Sequence, residues 1–377
     1  MKSGRSLQEL ALELKRQSET KKDYVAPTNH LSMRPIKAGV VILDGVNGGM
    51  PLRPIAHAQL ANTLGIPKVY YDKLLAEQPD LLSLNVNRWL ASEGQRVKVV
   101  GRDGADLWTG FMQPYPVRGT KKLIRTLDNE VRAILSDSYR PLDNIDLAEA
   151  VLPRLFDLNA TVVSGQVTDS RFYIKAVTDR IRGEVKQGDV IQAGVVVSNS
   201  EVGQGSLRVE ALDFRLICLN GMIRESSIRK AHLGRGARGQ DAIEDAREWF
   251  RTETRIADDR AFFLKVQDAT AAMFDVVRFN QRIEQYKEAS NRMIPVGVDP
   301  VKVVETTAKK FGLSDGERSS VLQHLIRGGD MSTWGLSNAV TRTAQDVESY
   351  DRATSLEAIG GDVVELNKEG WKSLVAV

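Results

Sequence analysis

The chain has 377 residues, enough for one large domain or two of ordinary size at roughly 150 residues per domain. Hydrophobic residues make up 42% and charged residues 27%, which is the balance of a folded protein and excludes a disordered chain or an integral membrane protein. The net charge is only +3, from 52 basic and 49 acidic residues, so the overall charge identifies no partner.

Targeting signals and metal-site patterns are not evident in the sequence. No apolar run approaches the roughly 18 residues that span a bilayer, and the charged N-terminus lacks the apolar stretch of a signal peptide, so we expect a cytoplasmic protein. A single cysteine, Cys218, cannot form an internal disulfide, and four scattered histidines show no metal-site spacing. We therefore expect neither a metal nor another cofactor.

The N-terminal third combines a polar segment with a helix pair. Residues 1–35 are predicted to form a polar arm with a helix, because Leu7, Leu10 and Leu14 follow helical spacing. Residues 56–76 predict two helices broken at Gly65. This pair is either a packing unit or a helix-turn-helix that reads duplex DNA, and the shortage of Arg, Asn and Gln over 68–75 favours packing.

The middle of the chain predicts antiparallel strands. Alternation and turn residues indicate hairpins over 96–112 and 160–177, with a helix between them that starts at Ile145 and is capped by Asn144. Over 207–218 the apolar residues change from odd to even positions, which predicts a bulge near Ala211.

The loop between the strands predicted over 189–201 and 206–219 raises a choice between a phosphate cradle and a simple bend. Gly203 and Gly205 lie in this loop, but the chain has no G-x-x-x-x-G-K-[ST] motif, so we favour the bend and expect no nucleotide hydrolysis. Arg208, Glu210, Asp213 and Arg215 are predicted to share one polar strand face. Cys218 is predicted to be a buried small hydrophobe.

The remainder of the chain divides into a basic segment and a helical region. Residues 224–239 hold five basic residues and one acidic residue, which indicates either an anion-binding loop or a solvated linker. After 240 the pattern is helical, with Ser314 and Glu317 as a capping box and Gly360 with Gly361 as a helix stop. We predict an arm over 1–35, an α+β core with antiparallel hairpins over 36–240 and a helical region over 241–377.

Three segments carry a resemblance to a known family: "VRAILSDSYRPLDN" (131–144), "GVVVSNSEVGQGSLRVEALDFRLICLNGMI" (194–223) and "STWGLSNAVTRTAQDVESYDRATSLEAIGG" (332–361). They resemble the phage and plasmid family of the domain of unknown function 932, over most of residues 50–370. The family carries no established reaction, so the resemblance implies origin in a bacteriophage or mobile element and a place in the host bacterial cytoplasm.

A weaker similarity concerns the fold. The element order looks like the Redβ, RecT and ERF single-strand annealing proteins, which implies an α+β fold with a central curved antiparallel β-sheet flanked by helices and a helical C-terminal region. It further implies a non-enzymatic, homo-oligomeric protein that binds single-stranded DNA in recombination or replication, with a phage or host recombination protein as a possible partner. The candidate DNA-binding residues are then Tyr139, Arg140, Tyr173, Lys175, Arg180, Arg182, Lys186, Arg208, Arg215, Arg224, Arg229, Lys230, Arg235 and Arg238.

Two alternatives remain open on the sequence. A metal-dependent nucleic-acid enzyme would use carboxylates such as Asp137, Asp143 and Asp146, although acids at a helix start usually serve as caps. A phage regulatory protein would bind duplex DNA through the helix pair or a host protein through the arm.

Overall fold

The computed structural model describes residues 1–37, 39–46, 48–93, 97–100, 106–109, 121–137, 139, 141–230 and 252–376, of which 92–93, 97–100, 106–109, 225–230 and 252–256 are described by their backbone only. Together they form an α+β fold with antiparallel sheets and a helical C-terminal region, which confirms the predicted fold class. No helix among these residues is both long enough and apolar enough to cross a bilayer.

Within the part of the chain that the structure describes, the strands form one large sheet and three smaller ones. The central five-stranded sheet has the order β13-β12-β11-β10-β9; β1-β7-β8 and β2-β3-β4 form three-stranded sheets, and β5 pairs with β6. Every pair is antiparallel. The strands are β1 (Lys22–Pro27), β2 (Ser32–Lys37), β3 (Val40–Asp44), β4 (Met50–Pro51), β5 (Val97–Val100), β6 (Asp106–Thr109), β7 (Lys121–Leu127), β8 (Glu130–Ser136), β9 (Thr161–Val167), β10 (Phe172–Glu184), β11 (Val190–Asn199), β12 (Leu207–Arg215) and β13 (Asn220–Lys230).

Among the described residues, five α-helices precede or interrupt the strands, and seven follow them. The helices are α1 (Leu7–Thr20), α2 (Pro54–Leu64), α3 (Lys68–Glu77), α4 (Pro79–Glu93), α5 (Asn144–Asp157), α6 (Thr252–Ala272), α7 (Val276–Asn291), α8 (Pro300–Phe311), α9 (Asp315–Gly328), α10 (Thr333–Thr343), α11 (Tyr350–Val364) and α12 (Lys368–Val375).

Helices cover both faces of the central sheet. Alternate residues of β10 such as Phe172 and Ile174 enter the main hydrophobic core with α1, α5, α6 and α7. The intervening residues, Tyr173 and Lys175, face α11, where Tyr350 and Glu357 meet them. Strands covered on both faces bury both sets of alternate side chains, so polar residues of this sheet are enclosed as well as apolar ones.

The predicted polar face of β12 is divided between two faces in the structure. Asp213 pairs directly with Ala193 of the main core, whereas Arg208 and Glu210 lie on the opposite face because strand side chains alternate. The register irregularity near Ala211 is present, but the extra residues lie in β13. Val209 pairs with Ile228 and Ala211 with Arg224, so β13 advances four residues where β12 advances two. The change of apolar phase in β12 reflects a strand buried on both sides.

The N-terminal segment is part of the folded body and not a separate arm. Leu10 and Leu14 of α1 are buried in the main core, and β1 pairs with β7 along its whole length. Gly165 permits the approach of α1 to β9, because a Cβ there would lie 2.6 Å from Leu10 Cδ2.

The predicted helix pair and capping box are both observed. Gly65 ends α2 in the left-handed conformation at φ 67°, and α3 follows. At the start of α9, the Ser314 hydroxyl accepts from the Glu317 N–H, and the Glu317 carboxylate accepts from the Ser314 N–H. The predicted stop at Gly360 and Gly361 is wrong, since both lie inside α11.

Candidate functional site

The two tyrosines proposed to stack on DNA bases are buried. Tyr139 is 8% exposed, and its hydroxyl donates a hydrogen bond to the Ser200 carbonyl at 3.0 Å. Tyr173 is 4% exposed and lies against Tyr350 with ring centroids 5.4 Å apart. Burial raises the pKa of both hydroxyls, that of Tyr139 to about 12. Neither ring has a face open to a base.

Lys175 is enclosed between the central sheet and α11. Its ammonium donates to the Glu357 carboxylate at 2.5 Å and to Thr354 Oγ1 at 3.0 Å, and both charged side chains are fully buried. It also lies 4.8 Å from the centroid of the Tyr350 ring. This lysine therefore ties α11 to the sheet and does not reach the surface.

The arginines of β12 and β13 that have described side chains are engaged within the protein. The Arg215 guanidinium binds Asp189 through two nitrogens at 2.6 and 2.9 Å. Arg224 binds Glu365 at 2.7 Å. Arg208 lies 3.7 Å from Glu210 and is about one-third exposed. The sequence analysis placed Arg208 and Arg215 on one polar strand face and Arg224 in a basic segment, whereas in the structure each of the three lies beside a carboxylate of the protein.

The exposed predicted residues lie together at the β10–β11 hairpin. We call Arg180, Arg182 and Lys186 the cationic hairpin; all three side chains are exposed. Arg182 is 3.8 Å from Asp179, and Lys186 is 2.9 Å from Asp330, so their ion pairs lie at the surface.

A groove of about 440 Å³ runs beside the cationic hairpin. Its walls are the hairpin at residues 183–187 and the helix α7 at Asn280, Ile283, Glu284 and Lys287. Gly183 allows this close approach, because a Cβ there would lie 2.6 Å from Ile283 Cγ1.

The other predicted residues are distant from the hairpin or outside the described residues. Arg229 pairs with Arg208 and Lys230 with Leu207, at the end of the sheet opposite the cationic hairpin. Arg140, Arg235 and Arg238 lie outside the described residues. The predicted basic track is therefore not one continuous surface among the described residues.

The glycine-containing loop between β11 and β12 is a bend that accepts hydrogen bonds. A phosphate cradle presents backbone N–H groups, whereas this loop directs carbonyl groups toward side-chain donors. The carbonyls of Ser200, Glu201, Val202 and Gln204 accept from Tyr139, Arg125, Gln59 and Arg171 respectively.

Beside this loop lies an arginine-rich cleft that the sequence analysis missed. The cleft has a volume of about 200 Å³ and its lining is mainly polar. We call it the arginine cleft, since its lining includes Arg5, Arg16, Arg53, Arg132 and Arg171. These arginines come from five separate segments, so no local motif could have revealed them.

Carboxylates balance most of the charge in the arginine cleft. Arg16 donates to Glu13 at 2.9 Å and to Asp128 at 2.6 Å. The hydrogen bond from Arg16 lowers the pKa of Glu13 to about 2, so this carboxylate is ionised at neutral pH. Arg53 lies 3.5 Å from both Asp128 and Asp169. Among the described residues, Arg171 has no carboxylate partner.

The most buried arginine of the cleft is Arg132, which is 6% exposed. It donates to Glu201, whose carboxylate also accepts the Asn144 N–H at 2.6 Å and so caps α5. The predicted Asn144 cap is thus replaced by an acid from another segment. Arg132 Nε is buried without a hydrogen-bond partner.

The geometry adds little support to a metal site at the predicted carboxylates. Asp143 is paired with Lys21 and Arg125, whereas Asp137 and Asp146 are exposed. The described residues contain no group of three metal-ligating side chains. Cys218 is partly exposed, not buried, and its sulfur accepts from Arg215 at 3.4 Å.

The two cationic features lie at opposite ends of β10. Arg171 of the arginine cleft directly precedes this strand, and Lys186 of the cationic hairpin follows it. Comparison of the chain with family models, with curated proteins and with solved structures finds no match.

Proposed function

We propose that the protein is a single-stranded DNA-binding and annealing protein of a phage or other mobile element. It acts in recombination or replication without nucleotide hydrolysis. The resemblance in three sequence segments suggests the origin in a mobile element, and the weaker similarity of element order to the Redβ, RecT and ERF proteins suggests annealing. The cationic hairpin is the structural observation that supports the proposal best. The hairpin carries three exposed cations, of which Lys186 lines the open groove, and this arrangement suits a flexible polyanion better than a small folded ligand.

The surface ion pairs of the cationic hairpin leave its cations available to DNA. Exposed pairs such as Lys186 with Asp330 contribute about 0–1 kcal/mol, so a phosphate oxygen can replace the carboxylate at little cost. Binding would release counterions from the DNA, and affinity would fall as salt rises. The protein would contact the DNA backbone and leave the bases free to pair with a complementary strand, as annealing requires.

A homo-oligomer in the host cytoplasm and a phage or host recombination partner belong to the same proposal. Each protomer would offer one cationic hairpin, so several protomers would engage one strand at successive sites. Avidity of this kind strengthens binding without new contacts in any protomer.

Anisotropy with a labelled single strand and its duplex across a salt series tests this function. Replacing Arg180, Arg182 and Lys186 by Gln should weaken single-strand binding and reduce the salt slope by about 2, since each lost contact accounts for about 0.7. The matched control makes the same Gln replacements at three exposed lysines of α8, Lys302, Lys309 and Lys310. It should change neither the single-strand affinity nor the salt slope. Adding the complementary strand should then form duplex faster with protein than without.

Two outcomes would contradict the proposal. If the wild-type protein binds no single strand, the function is wrong. If the control triple variant loses as much affinity as the hairpin triple variant, binding is a non-specific effect of charge.

Binding of duplex DNA or a host protein through α3 is the second candidate function. Val69 is 84% exposed and Tyr70 is 53% exposed, beside the exposed Lys73. A preference for duplex of defined sequence, abolished by Tyr70→Ala, would favour this candidate over annealing. A metal-dependent enzyme has less support, because Asp143 already has two cationic partners.

A further inference from the structure

The arginine cleft has a size and lining that select for a small anion. Its volume of about 200 Å³ is below the roughly 300 Å³ at which pockets for drug-sized organic ligands begin. The mainly polar lining offers little apolar surface to a base or a sugar. A single phosphate group suits this space better than a whole nucleotide.

The charge balance favours an anion that carries more than one negative charge. Carboxylates already pair with Arg5, Arg16, Arg53 and Arg132, so a weakly charged ligand gains little. A phosphate monoester carries about −1.5 to −2 charges at pH 7 and three strong acceptor oxygens, whereas a backbone phosphodiester carries a single charge. The monoester is therefore the better competitor for these guanidinium groups.

Two arginines retain unused hydrogen-bonding capacity in the cleft. Arg132 is more than nine-tenths buried and its Nε has no partner, while its Nη2 donates to Glu201 and so holds the guanidinium group in place. Arg171 donates to the Gln204 carbonyl at 2.6 Å and has no carboxylate partner among the described residues. Guanidinium groups bind phosphate oxygens through paired N–H donors, which is the geometry that a buried, pre-oriented arginine provides.

We propose that the arginine cleft binds the terminal phosphate monoester of a DNA strand. The inference rests on the proposed function, because the phosphate belongs to DNA that the cationic hairpin holds elsewhere along its backbone. The protein would then distinguish a phosphorylated end from the interior of a strand.

The experiment compares three labelled single strands of the same sequence, about 20 nucleotides long, a site size typical of one or a few binding modules. One carries a 5′-phosphate, one a 3′-phosphate and one hydroxyl groups at both ends; inorganic phosphate is added as a competitor. For the wild-type protein we expect one phosphorylated strand to bind about ten-fold more tightly than the hydroxyl strand. Inorganic phosphate should reduce that preference and leave binding of the hydroxyl strand unchanged.

Variants connect the preference to the cleft. Arg171→Gln, at a partly exposed position, should abolish the end preference. Arg132→Lys keeps a cation beside Glu201 but removes Nε, and it should lose the preference as well. Arg180→Gln, in the cationic hairpin, should weaken all three strands equally and keep the preference.

The outcomes separate this inference from the proposed function. Equal affinity for the three strands, or a preference that persists in Arg171→Gln, overturns the terminal-phosphate site and leaves single-strand binding intact. Failure to bind any strand overturns both. Competition by inorganic phosphate with the hydroxyl strand would show that the cleft holds backbone phosphates, and it too would contradict the inference.

Discussion

At the scale of single residues, Lys175 and Glu357 form an ion pair inside the protein. Both side chains are fully buried, and Glu357 Oε1 has no hydrogen-bond partner. Burying an ion pair removes so much hydration that the pair stabilises the folded state little overall. Removing one partner nevertheless leaves the other charge buried without compensation, which is strongly unfavourable. The pair therefore specifies how α11 docks on the sheet more than it adds free energy.

Substitutions of this pair test that view. Lys175→Met should lower the free energy of unfolding by about 3–5 kcal/mol, whereas Lys175→Met combined with Glu357→Leu should recover most of the loss. Urea unfolding of the two variants and the wild type measures the difference. Equal stability of the single and double variants would contradict it. The folded double variant should bind DNA like the wild type, since Lys175 does not reach the surface.

His57 gives the protein a pH-dependent stability. Its imidazole is buried, and Nδ1 lies 2.9 Å from the Tyr71 hydroxyl. Burial, with a smaller contribution from nearby Lys68, lowers its pKa from 6.5 to about 4. The unfolded chain then binds a proton more readily than the folded one below pH 6.5, so this residue's contribution is complete above that pH and is lost as pH falls toward 4.

Equilibrium unfolding at pH 7 and pH 4.5 measures this contribution. Between these values the wild type should lose about 2 kcal/mol more stability than His57→Gln, which has no titrating ring. Both proteins contain the same carboxylates, so comparing their changes in unfolding free energy between the two pH values removes the carboxylate contribution. Parallel pH profiles for the two proteins would mean that the pKa of His57 is the same in the folded and unfolded states.

At the scale of elements, Gly361 sets the distance between α11 and β13. A Cβ at this position would lie 2.1 Å from the backbone carbonyl oxygen of Ile223, which cannot move without displacing the strand. The neighbouring Gly360 approaches Thr341 of α10 in the same way. The glycine pair thus permits close crossing and does not end the helix.

Gly361→Ala should destabilise the protein by about 1–3 kcal/mol through overpacking. Gly316→Ala is the matched control, because it lies in α9 with nothing within 4 Å of its added Cβ. The control should be neutral or stabilise by about 0.5 kcal/mol. Thermal unfolding of both variants compares them, and equal shifts would show that the contact at Ile223 is not limiting.

Local signals explain which elements the sequence analysis predicted correctly. The capping box at Ser314 and the left-handed Gly65 depend only on residues a few positions apart. Gly360 and Gly361 carry the same local signal as a helix stop, but their role depends on contacts with β13 and α10, far away in sequence. Asn144 was misjudged for the same reason, since the acid that caps α5 is Glu201.

At the scale of the whole molecule, the alternation of apolar and polar residues predicted the strands but not the helices that cover them. The pattern of Phe172, Ile174 and Ala176 correctly placed these residues in the core. Lys175 was proposed as a DNA-binding residue, but the docking of α11 encloses it and pairs it with Glu357. The arginine cleft could not be predicted at all, because ion pairs such as that between Arg16 and Asp128 join residues more than a hundred positions apart.

The length of β10 gives the two proposed DNA sites a fixed spacing. Its 13 residues extend about 40 Å at roughly 3.3 Å per step, with the arginine cleft at its start and the cationic hairpin at its end. A strand that reaches both sites, at about 3.4 Å per stacked nucleotide, needs about 12 nucleotides. β10 would act as a molecular ruler: a terminal phosphate should strengthen binding of oligonucleotides longer than this and add nothing to shorter ones. An end preference that is independent of length would show that the two sites act separately.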